Sequence, residues 1–329
     1  MLHPSSTTLR IGTRASALAR WQAEWVATQL AQRGVSTELV FISTSGDIDQ
    51  SGPIGTLPTQ GVFTKEIQRS LLDGRVDLAV HSLKDLPTQV VPGLALAAIP
   101  PRESVADVLI SRGGVTFANL PASARIGTGS SRRVSQLRNA RADLTYLDIR
   151  GNVDTRLKKL DHGEYDAIVL AEAGLRRLGH TDRISELFSP DLLLSAVGQG
   201  ALGLETRADD ATTQAMVGAL NDPVSQAAVL AERACLHTLR GGCLAPIGAW
   251  ARRENDEMVL SVCVLNIAGT VKLPTEQRVL WPNDPAQALL AAEELGVSTG
   301  NVLIAAGAER LILESRAVAG GSNGGLGLE

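Results

Sequence analysis

Residues 78–88 read Leu-Ala-Val-His-Ser-Leu-Lys-Asp-Leu-Pro-Thr, a short apolar run that gives way to charged residues before a proline. A run of this kind predicts a buried strand, and Pro87 predicts that the strand has ended in a loop. Open α/β sheets bind ligands outside the carboxyl ends of their strands, which is where Lys84 and Asp85 would then lie. We predict an α/β fold with Asp85 as the catalytic residue, although an ordinary solvated ion pair fits this stretch equally well.

Outward from this stretch, the order of strand, polar turn and helix recurs along the chain. Residues 125–128 predict a strand that leads through small hydroxyl residues into a helix bearing Arg132 and Arg133. Strands followed by helices in the same way are predicted at residues 9–14, 144–149 and 167–170. The repetition predicts α/β layers in which basic groups converge at one edge of a sheet.

The chain has 329 residues and is too long for one typical core, so that two or three domains are expected. Pro100-Pro101 marks the start of a second unit, and Asn221-Asp222-Pro223 marks the start of a third. The third unit reads as a small α+β domain, with strands near residues 247–251, 258–265 and 278–281 and helices near residues 286–294 and 302–314. The glycine-rich tail, residues 319–329, is predicted to be disordered.

Composition bounds the function. Hydrophobic residues make up 44% and charged residues 20% of the chain, which is typical of a soluble globular protein. The net charge of −4 argues against a nucleic-acid partner, whereas residues 125–177 hold eleven Lys and Arg against seven Asp and Glu. This local excess predicts a site for an anionic ligand. Because the first residues lack a secretory pattern and no apolar stretch approaches the length of a membrane span, we expect no membrane partner and a cytoplasmic location.

Seven basic residues follow predicted strands at or near the turns into helices. Arginine binds carboxylates with two parallel hydrogen bonds, so several arginines directed at one place suit a ligand with many carboxylates. The alternative is that each is an exposed charge on a helix face. The seven residues are Arg14, Lys84, Arg132, Arg133, Arg150, Arg156 and Arg177.

Three loops stand out for motion or reactivity. Residues 45–61 form a long loop rich in glycine that could act as a lid, and residues 198–200 read as a flexible return segment. Residues 239–246, Leu-Arg-Gly-Gly-Cys-Leu-Ala-Pro, place the thiol of Cys243 where glycines allow close approach of a ligand. Cys243 is therefore a candidate attachment point or nucleophile.

The other cysteines, Cys235 in a predicted helix and Cys263 in a predicted strand, read as buried hydrophobic residues. Cys235, His237 and Cys243 lack both a Cys-x-x-Cys spacing and a fourth ligand, so no metal site is predicted. His81 at a strand end reads as a hydrogen-bonded structural residue rather than a general base. No glycine-rich nucleotide fingerprint or P-loop is present in the sequence.

Taken together, these segments resemble the porphobilinogen deaminase (hydroxymethylbilane synthase) family of tetrapyrrole biosynthesis. The resemblance covers nearly the whole chain in the order of the family. The matching segments are Arg10–Ser16, Gly61–Ile67, His81–Thr88, Gly127–Arg133, Arg150–Leu157, Ala173–Gly179, Gly198–Ala201 and Gly241–Cys243.

The resemblance implies a transferase that condenses four porphobilinogen molecules, with loss of ammonia, onto a covalent dipyrromethane cofactor and then releases hydroxymethylbilane by hydrolysis. It implies that Cys243 carries the cofactor through a thioether and that Asp85 is the catalytic carboxylate. Residues implied to bind the cofactor are Lys84, Thr128, Ser130, Arg132, Arg133 and Arg156. Residues implied to bind the substrate are Arg14, Ser16, Arg150 and Arg177.

The resemblance also implies a fold and a monomeric state. Two periplasmic-binding-protein-like (type II) α/β domains, residues 1–104 with 200–220 and residues 105–199, would precede a small α+β domain, residues 221–318. Ser195 stands where the family commonly has a proline, which we expect to loosen one interdomain crossing. The alternative function is a non-catalytic, cytoplasmic solute-binding-like protein for an organic dianion, which would use the same arginines but would need neither Cys243 nor a third domain.

Overall fold

The computed structural model describes residues 8–43, 64–241 and 245–321. The proposed lid, residues 45–61, and Cys243 lie outside the described residues, so those two expectations stay predictions.

The first α/β domain is built on a mixed five-stranded sheet with the strand order β2-β1-β3-β10-β4. β1, β2 and β3 are parallel, whereas β10 runs antiparallel to both β3 and β4. The strands are β1 (Leu9–Thr13), β2 (Thr37–Phe41), β3 (Leu78–Ser82), β4 (Leu94–Ala98) and β10 (Leu202–Arg207), and the helices are α1 (Ala17–Ala31), α2 (Lys65–Leu72) and α6 (Ala211–Gly218). The predicted strand at residues 78–82 is thus the centre of this sheet.

The second α/β domain repeats this plan. Its sheet has the order β7-β6-β8-β5-β9, with β6, β7 and β8 parallel and β5 antiparallel to its neighbours. The strands are β5 (Asp107–Ser111), β6 (Arg125–Gly127), β7 (Thr145–Leu147), β8 (Ala167–Ala171) and β9 (Glu186–Leu187), and the helices are α3 (Ser131–Ala140), α4 (Val153–Asp161) and α5 (Glu172–Leu178). Each of the two domains therefore receives one antiparallel strand, β10 or β5, directly after the chain has crossed between them.

The third domain is an antiparallel sheet covered by helices, and the fold class of two type II α/β domains with a small α+β domain is confirmed. Its elements are α7 (Pro223–Thr238), β11 (Ile247–Glu254), β12 (Glu257–Leu265), β13 (Lys272–Leu280), α8 (Pro285–Ala305) and α9 (Ala308–Gly321). The predicted break between residues 294 and 302 is wrong, because Gly296 and Gly300 lie inside α8 and allow its backbone to approach α7 closely. The chain breaks instead at Gly307, whose φ of 95° suits glycine.

Two expectations about the end of the chain need correction. α9 continues through Gly321, so residues 319–321 are helical where we predicted a disordered tail. α8 has 21 residues and a mean hydropathy of 1.2, so one described helix does meet the length and composition of a membrane span. About 39% of its apolar window is buried inside the protein, and Gly296 and Gly300 pack against α7.

The chain crosses between the α/β domains twice, first near Arg102 and again near Gly198. One buried carboxylate of the third domain fixes both crossings. Glu232 of α7 accepts hydrogen bonds from Arg102 Nη1 at 2.7 Å and Nη2 at 3.0 Å, from Gly198 N at 2.7 Å and from Ala251 N at 2.9 Å. Its four bonds fill both oxygens, which is what a fully buried charge requires.

The second crossing is more rigid than its composition suggested. Gln199 is buried, and a side chain at Gly200 would collide with the backbone oxygen of Glu103, so residues 198–200 are tightly packed rather than flexible. Ser195 is also buried, its hydroxyl donates to Ala249 O at 2.9 Å, and its backbone carbonyl oxygen accepts from Ala249 N. This hydroxyl adds a contact at the crossing, where we had expected the loss of a proline to loosen it.

Candidate active site between the two domains

The site is organised around the turn that follows β3. Leu83 is buried and anchors a single 3₁₀ turn, residues 83–85, while Lys84 and Asp85 remain accessible to solvent. Lys84 Nζ donates to Gln199 Oε1 at 3.3 Å. The sequence prediction that Lys84 and Asp85 lie just beyond the carboxyl end of a strand is therefore confirmed, and the structure shows that this strand is central in its sheet.

Opposite this turn, two arginines of α3 share one buried carboxylate. Arg133 Nη2 lies 2.6 Å from Asp107 Oδ1, and Arg132 Nη1 lies 2.7 Å from Asp107 Oδ2. Gln199 Nε2 donates a third contact to Asp107 at 2.9 Å. Burial alone would raise the pKa of Asp107, but attraction to both arginines outweighs it and holds the pKa well below its usual range. Two arginines on one carboxylate leave a net positive charge in the interior.

The start of α3 explains why the arginines lie there. Ser130 caps the helix by accepting from Arg133 N at 3.4 Å, and the buried Thr128 accepts from Ser130 N at 3.3 Å. Backbone N–H groups and the dipole at a helix start favour anions, which adds to the effect of the arginines.

Lys84 and Arg156 extend the positive region. The pKa of Lys84 is lowered to about 8, first because the surrounding protein removes water from the ammonium group and second because Arg133 repels it. Solvent still reaches part of the side chain. Burial and then repulsion from Arg133 lower the pKa of Arg156 to about 10. Attraction to Asp85 raises both values, so Asp85 is close enough to influence Lys84 and Arg156. We call Lys84, Asp85, Asp107, Arg132, Arg133 and Arg156 the interdomain site.

The remaining predicted residues, Arg14, Ser16, Arg150 and Arg177, lie outside this set. Arg150 Nε donates to Asp148 at 3.2 Å, and Arg177 Nη2 donates to Gly200 O at 2.7 Å while its guanidinium lies 5.9 Å from the ring centroid of Trp21. Arg14 is half-buried just after β1. Ser16 caps α1 by accepting from Ala19 N at 3.4 Å.

The two described cysteines are structural. Burial raises the pKa of Cys235 to about 12 and also raises the pKa of Cys263, so neither thiol is activated as a nucleophile. The buried His81 contacts Glu205 at 3.1 Å and is structural too. Within the described ranges, no cluster of three His, Cys, Asp or Glu side chains could hold a metal ion.

Sequence reasoning missed Asp107 and Gln199. Asp107 opens the apolar run 107–111, and an acidic residue at the start of a buried strand was a usable signal that it pairs with a cation. The sequence predicts Gln199 only as part of a flexible segment. The internal repeat was also visible, because Arg-Ile-Gly-Thr occurs at residues 10–13 and again at residues 125–128.

Comparison with known proteins identifies the family. The model of "Porphobilinogen deaminase, dipyromethane cofactor binding domain" matches residues 9–215, and that of "Porphobilinogen deaminase, C-terminal domain" matches residues 226–305. The chain belongs to the porphobilinogen deaminase family. Porphobilinogen deaminase from Chlorobium limicola is 43% identical over 94% of this chain and 98% of its own length. That from Roseiflexus castenholzii is 46% identical over 90% of this chain and 98% of its own length.

The activity of a porphobilinogen deaminase is that of a transferase, which joins four porphobilinogen molecules on a dipyrromethane cofactor and releases hydroxymethylbilane. The alternative of a non-catalytic solute-binding protein has no support from these relatives. Among solved structures, a periplasmic substrate-binding protein of an ABC transporter from Coxiella burnetii covers 68% of this chain and 95% of its own, with a TM-score of 0.42 and 16% identity.

The described residues fit the deaminase cofactor, which carries several carboxylates. The interdomain site holds four cations and two carboxylates, so that two positive charges are in excess. The buried atoms Arg132 Nε and Arg150 Nη2 have no hydrogen-bond partner in the part of the chain that the structure describes. Buried N–H groups of this kind are costly unless an acceptor such as a ligand carboxylate satisfies them.

We expect Asp107→Asn to destabilise the protein by about 3–5 kcal/mol, because Arg132 and Arg133 would remain buried without a counterion. The free energy of unfolding in urea measures the effect, with the exposed Asp143→Asn as a matched control that changes little. The folded pKa of Asp107 is depressed, so its stabilisation is full above about pH 4 and is lost as the pH falls toward the folded value. The variant should therefore lose less stability than the parent on acidification. Equal loss of stability in the two proteins would contradict the role of Asp107 as the counterion of Arg132 and Arg133.

Proposed function

We propose that the interdomain site binds the carboxylates of the dipyrromethane cofactor and that Cys243 carries this cofactor through a thioether. Lys84, Arg132, Arg133 and Arg156 are the charged ligands, and Thr128 with Ser130 supplies hydroxyl and backbone donors at the start of α3. The observation that carries the proposal is the excess of positive charge in the interdomain site, beside the accessible carboxylate of Asp85. Cofactor carboxylates would neutralise this excess and accept from the unsatisfied guanidinium atom of Arg132.

We propose that Arg14, Ser16, Arg150 and Arg177 bind the acetate and propionate groups of porphobilinogen. Arg150 has a buried Nη2 atom without a partner in the described chain, which favours a ligand there. Arg177 is held by Gly200 O, and burial lowers its pKa to about 10, so it remains a cation at neutral pH. Arg14 and Ser16 lie directly before α1, where a helix dipole also favours anions.

Asp85 is the proposed catalytic carboxylate. Loss of ammonia from the aminomethyl arm of the substrate leaves a cation, and a fixed carboxylate stabilises that charge as it develops. The same carboxylate accepts a proton that is released when the new carbon–carbon bond forms. Asp85 attracts the charges of Lys84 and Arg156, so the carboxylate lies beside two cations of the interdomain site. When bound, the dipyrromethane supplies the pyrrole carbon to which the first substrate is joined.

We further propose that the protein works as a cytoplasmic monomer. The dipyrromethane and the substrate are both small molecules, and the residues assigned to them come from one chain. Sedimentation of the purified protein tests the monomeric state.

We expect Arg156→Leu and Arg150→Leu each to lower kcat/KM for porphobilinogen about 10- to 150-fold, because a charge-assisted hydrogen bond is worth about 1.5–3 kcal/mol. Both variants should stay folded, since each arginine is only partly buried and makes local contacts that can be replaced by water. Arg183→Leu is the matched control, because Arg183 pairs with Asp161 on the surface of the same domain. Parental turnover in both test variants would refute the proposal that these arginines bind ligand carboxylates.

A further inference from the structure

The turn that carries Lys84 and Asp85 is held from outside its own domain. Arg233, on α7 of the third domain, donates from Nη1 to Leu86 O at 2.9 Å and from Nη2 to Pro87 O at 2.6 Å. These two carbonyl groups belong to the residues immediately after Asp85. A single guanidinium therefore donates hydrogen bonds to two consecutive backbone carbonyl groups beside the proposed catalytic carboxylate.

The other end of the turn is fixed by different contacts. Leu83 N donates to Ala201 O at 3.0 Å, and a buried apolar cluster packs beneath the turn. The cluster consists of Leu83, Leu86, Ile99, Ala201 and Val229. The crossing segment thus fixes the entry of the turn, while the polar contacts that fix its exit come from Arg233.

Asp85 depends on this backbone for its position. Within the described part of the chain its carboxylate has no hydrogen-bond partner, and the side chain is exposed to solvent. Its two charged neighbours act on it through electrostatic attraction, which has little directional preference. The location of the carboxylate is therefore set by the 83–87 backbone, and any displacement of that backbone moves the charge.

We propose that Arg233 is a positioning residue for catalysis: its fork of two hydrogen bonds holds the 83–87 backbone so that Asp85 is placed for the reaction. The planar guanidinium suits this task because its two donors are rigidly spaced, whereas a lysine ammonium lacks that geometry. The inference rests on the proposed role of Asp85.

The chain offers a matched control for the same type of contact. Arg141 donates to the backbone oxygens of Phe117, Ala118 and Leu120 and so holds another 3₁₀ turn, residues 117–119. Arg141 follows α3 at the end opposite to Arg132 and Arg133, away from the interdomain site. If releasing a turn lowered kcat in itself, substitution of either arginine would lower kcat. If the effect arises from the position of Asp85, only substitution of Arg233 lowers it.

The experiment compares Arg233→Met, Arg233→Lys and Arg141→Met as full-length proteins, with cofactor content read from intact mass and turnover normalised to the loaded fraction. A misplacement of about 1 Å at a catalytic group costs about 10²-fold, so Arg233→Met should lower kcat up to about 10²-fold with little change in KM. Arg233→Lys should recover part of the loss, and Arg141→Met should keep the parental kcat.

The double variant Asp85→Asn/Arg233→Met separates positioning from stability. If Arg233 acts through Asp85, the double variant is no slower than Asp85→Asn alone. The proposal is overturned if the losses of kcat in the two single variants multiply in the double variant, or if Arg233→Met keeps the parental kcat. It is also overturned if a smaller fraction of folded, cofactor-loaded protein explains the whole loss of activity in both Arg233 variants. If Arg233→Met alone does not fold, Arg233→Lys and its double variant with Asp85→Asn decide in the same way. Parental turnover in Asp85→Asn itself would instead refute the proposed role of Asp85.

Discussion

Asp85→Asn is expected to lower the turnover of porphobilinogen about 10²- to 10³-fold, the usual cost of losing one preorganised electrostatic contact, and more if proton transfer is lost as well. The amide keeps the size of the side chain and removes its charge. Because Asp85 is exposed and has no hydrogen-bond partner in the described chain, the substitution should leave the fold intact. Asp85→Glu keeps the charge but moves it by one methylene, so it should retain more activity than the amide.

The test of Asp85 needs protein that already carries cofactor, because a variant that never assembled it would be inactive for another reason. Asp73→Asn is a suitable control, since Asp73 is a solvent-accessible carboxylate of the same domain. Asp85 raises the pKa of Lys84, so the amide variant should also shift the titration of Lys84 to lower pH. Equal rates for Asp85→Asn and the parent would show that this carboxylate does not do the chemistry.

Cys243→Ala is expected to abolish turnover altogether, because the proposed attachment point of the cofactor is removed. Cys235→Ala and Cys263→Ala are the controls, and both should keep activity in the folded fraction. Their thiols are buried and have raised pKa values, so they are poor nucleophiles. Activity that persists in Cys243→Ala, or that is lost in folded Cys235→Ala, would refute the assignment of the thiol.

Local signals explain which parts of the fold could be predicted. Ser16, Ser130 and Asn152 each precede a helix and cap it through the side chain, so the starts of α1, α3 and α4 could be read from the sequence. β10 could not be placed in this way, because its antiparallel insertion between β3 and β4 depends on a chain that first builds the second domain. The true end of α8 also depends on tertiary packing, since its internal glycines contact α7.

The site was predicted only in part for the same reason. The sequence places basic residues after strands, and this locates Lys84, Arg132, Arg133 and Arg156 near one another. It does not reveal that Arg132 and Arg133 already share Asp107, because that pair forms across 25 residues or more and through the fold of β5. Nor does it reveal the contact of Arg233 with the 83–87 backbone, which joins residues 147 and 146 positions apart in the chain and needs the third domain in place.

The central claim is that this chain performs its reaction on a dipyrromethane bound covalently to Cys243. Its most direct test is the intact mass of the purified protein under denaturing conditions, compared with that of Cys243→Ala. We predict that the parent exceeds the mass of its polypeptide by one dipyrromethane and that Cys243→Ala has the mass of the polypeptide alone. A parent without added mass, or added mass that persists in Cys243→Ala, would contradict the account.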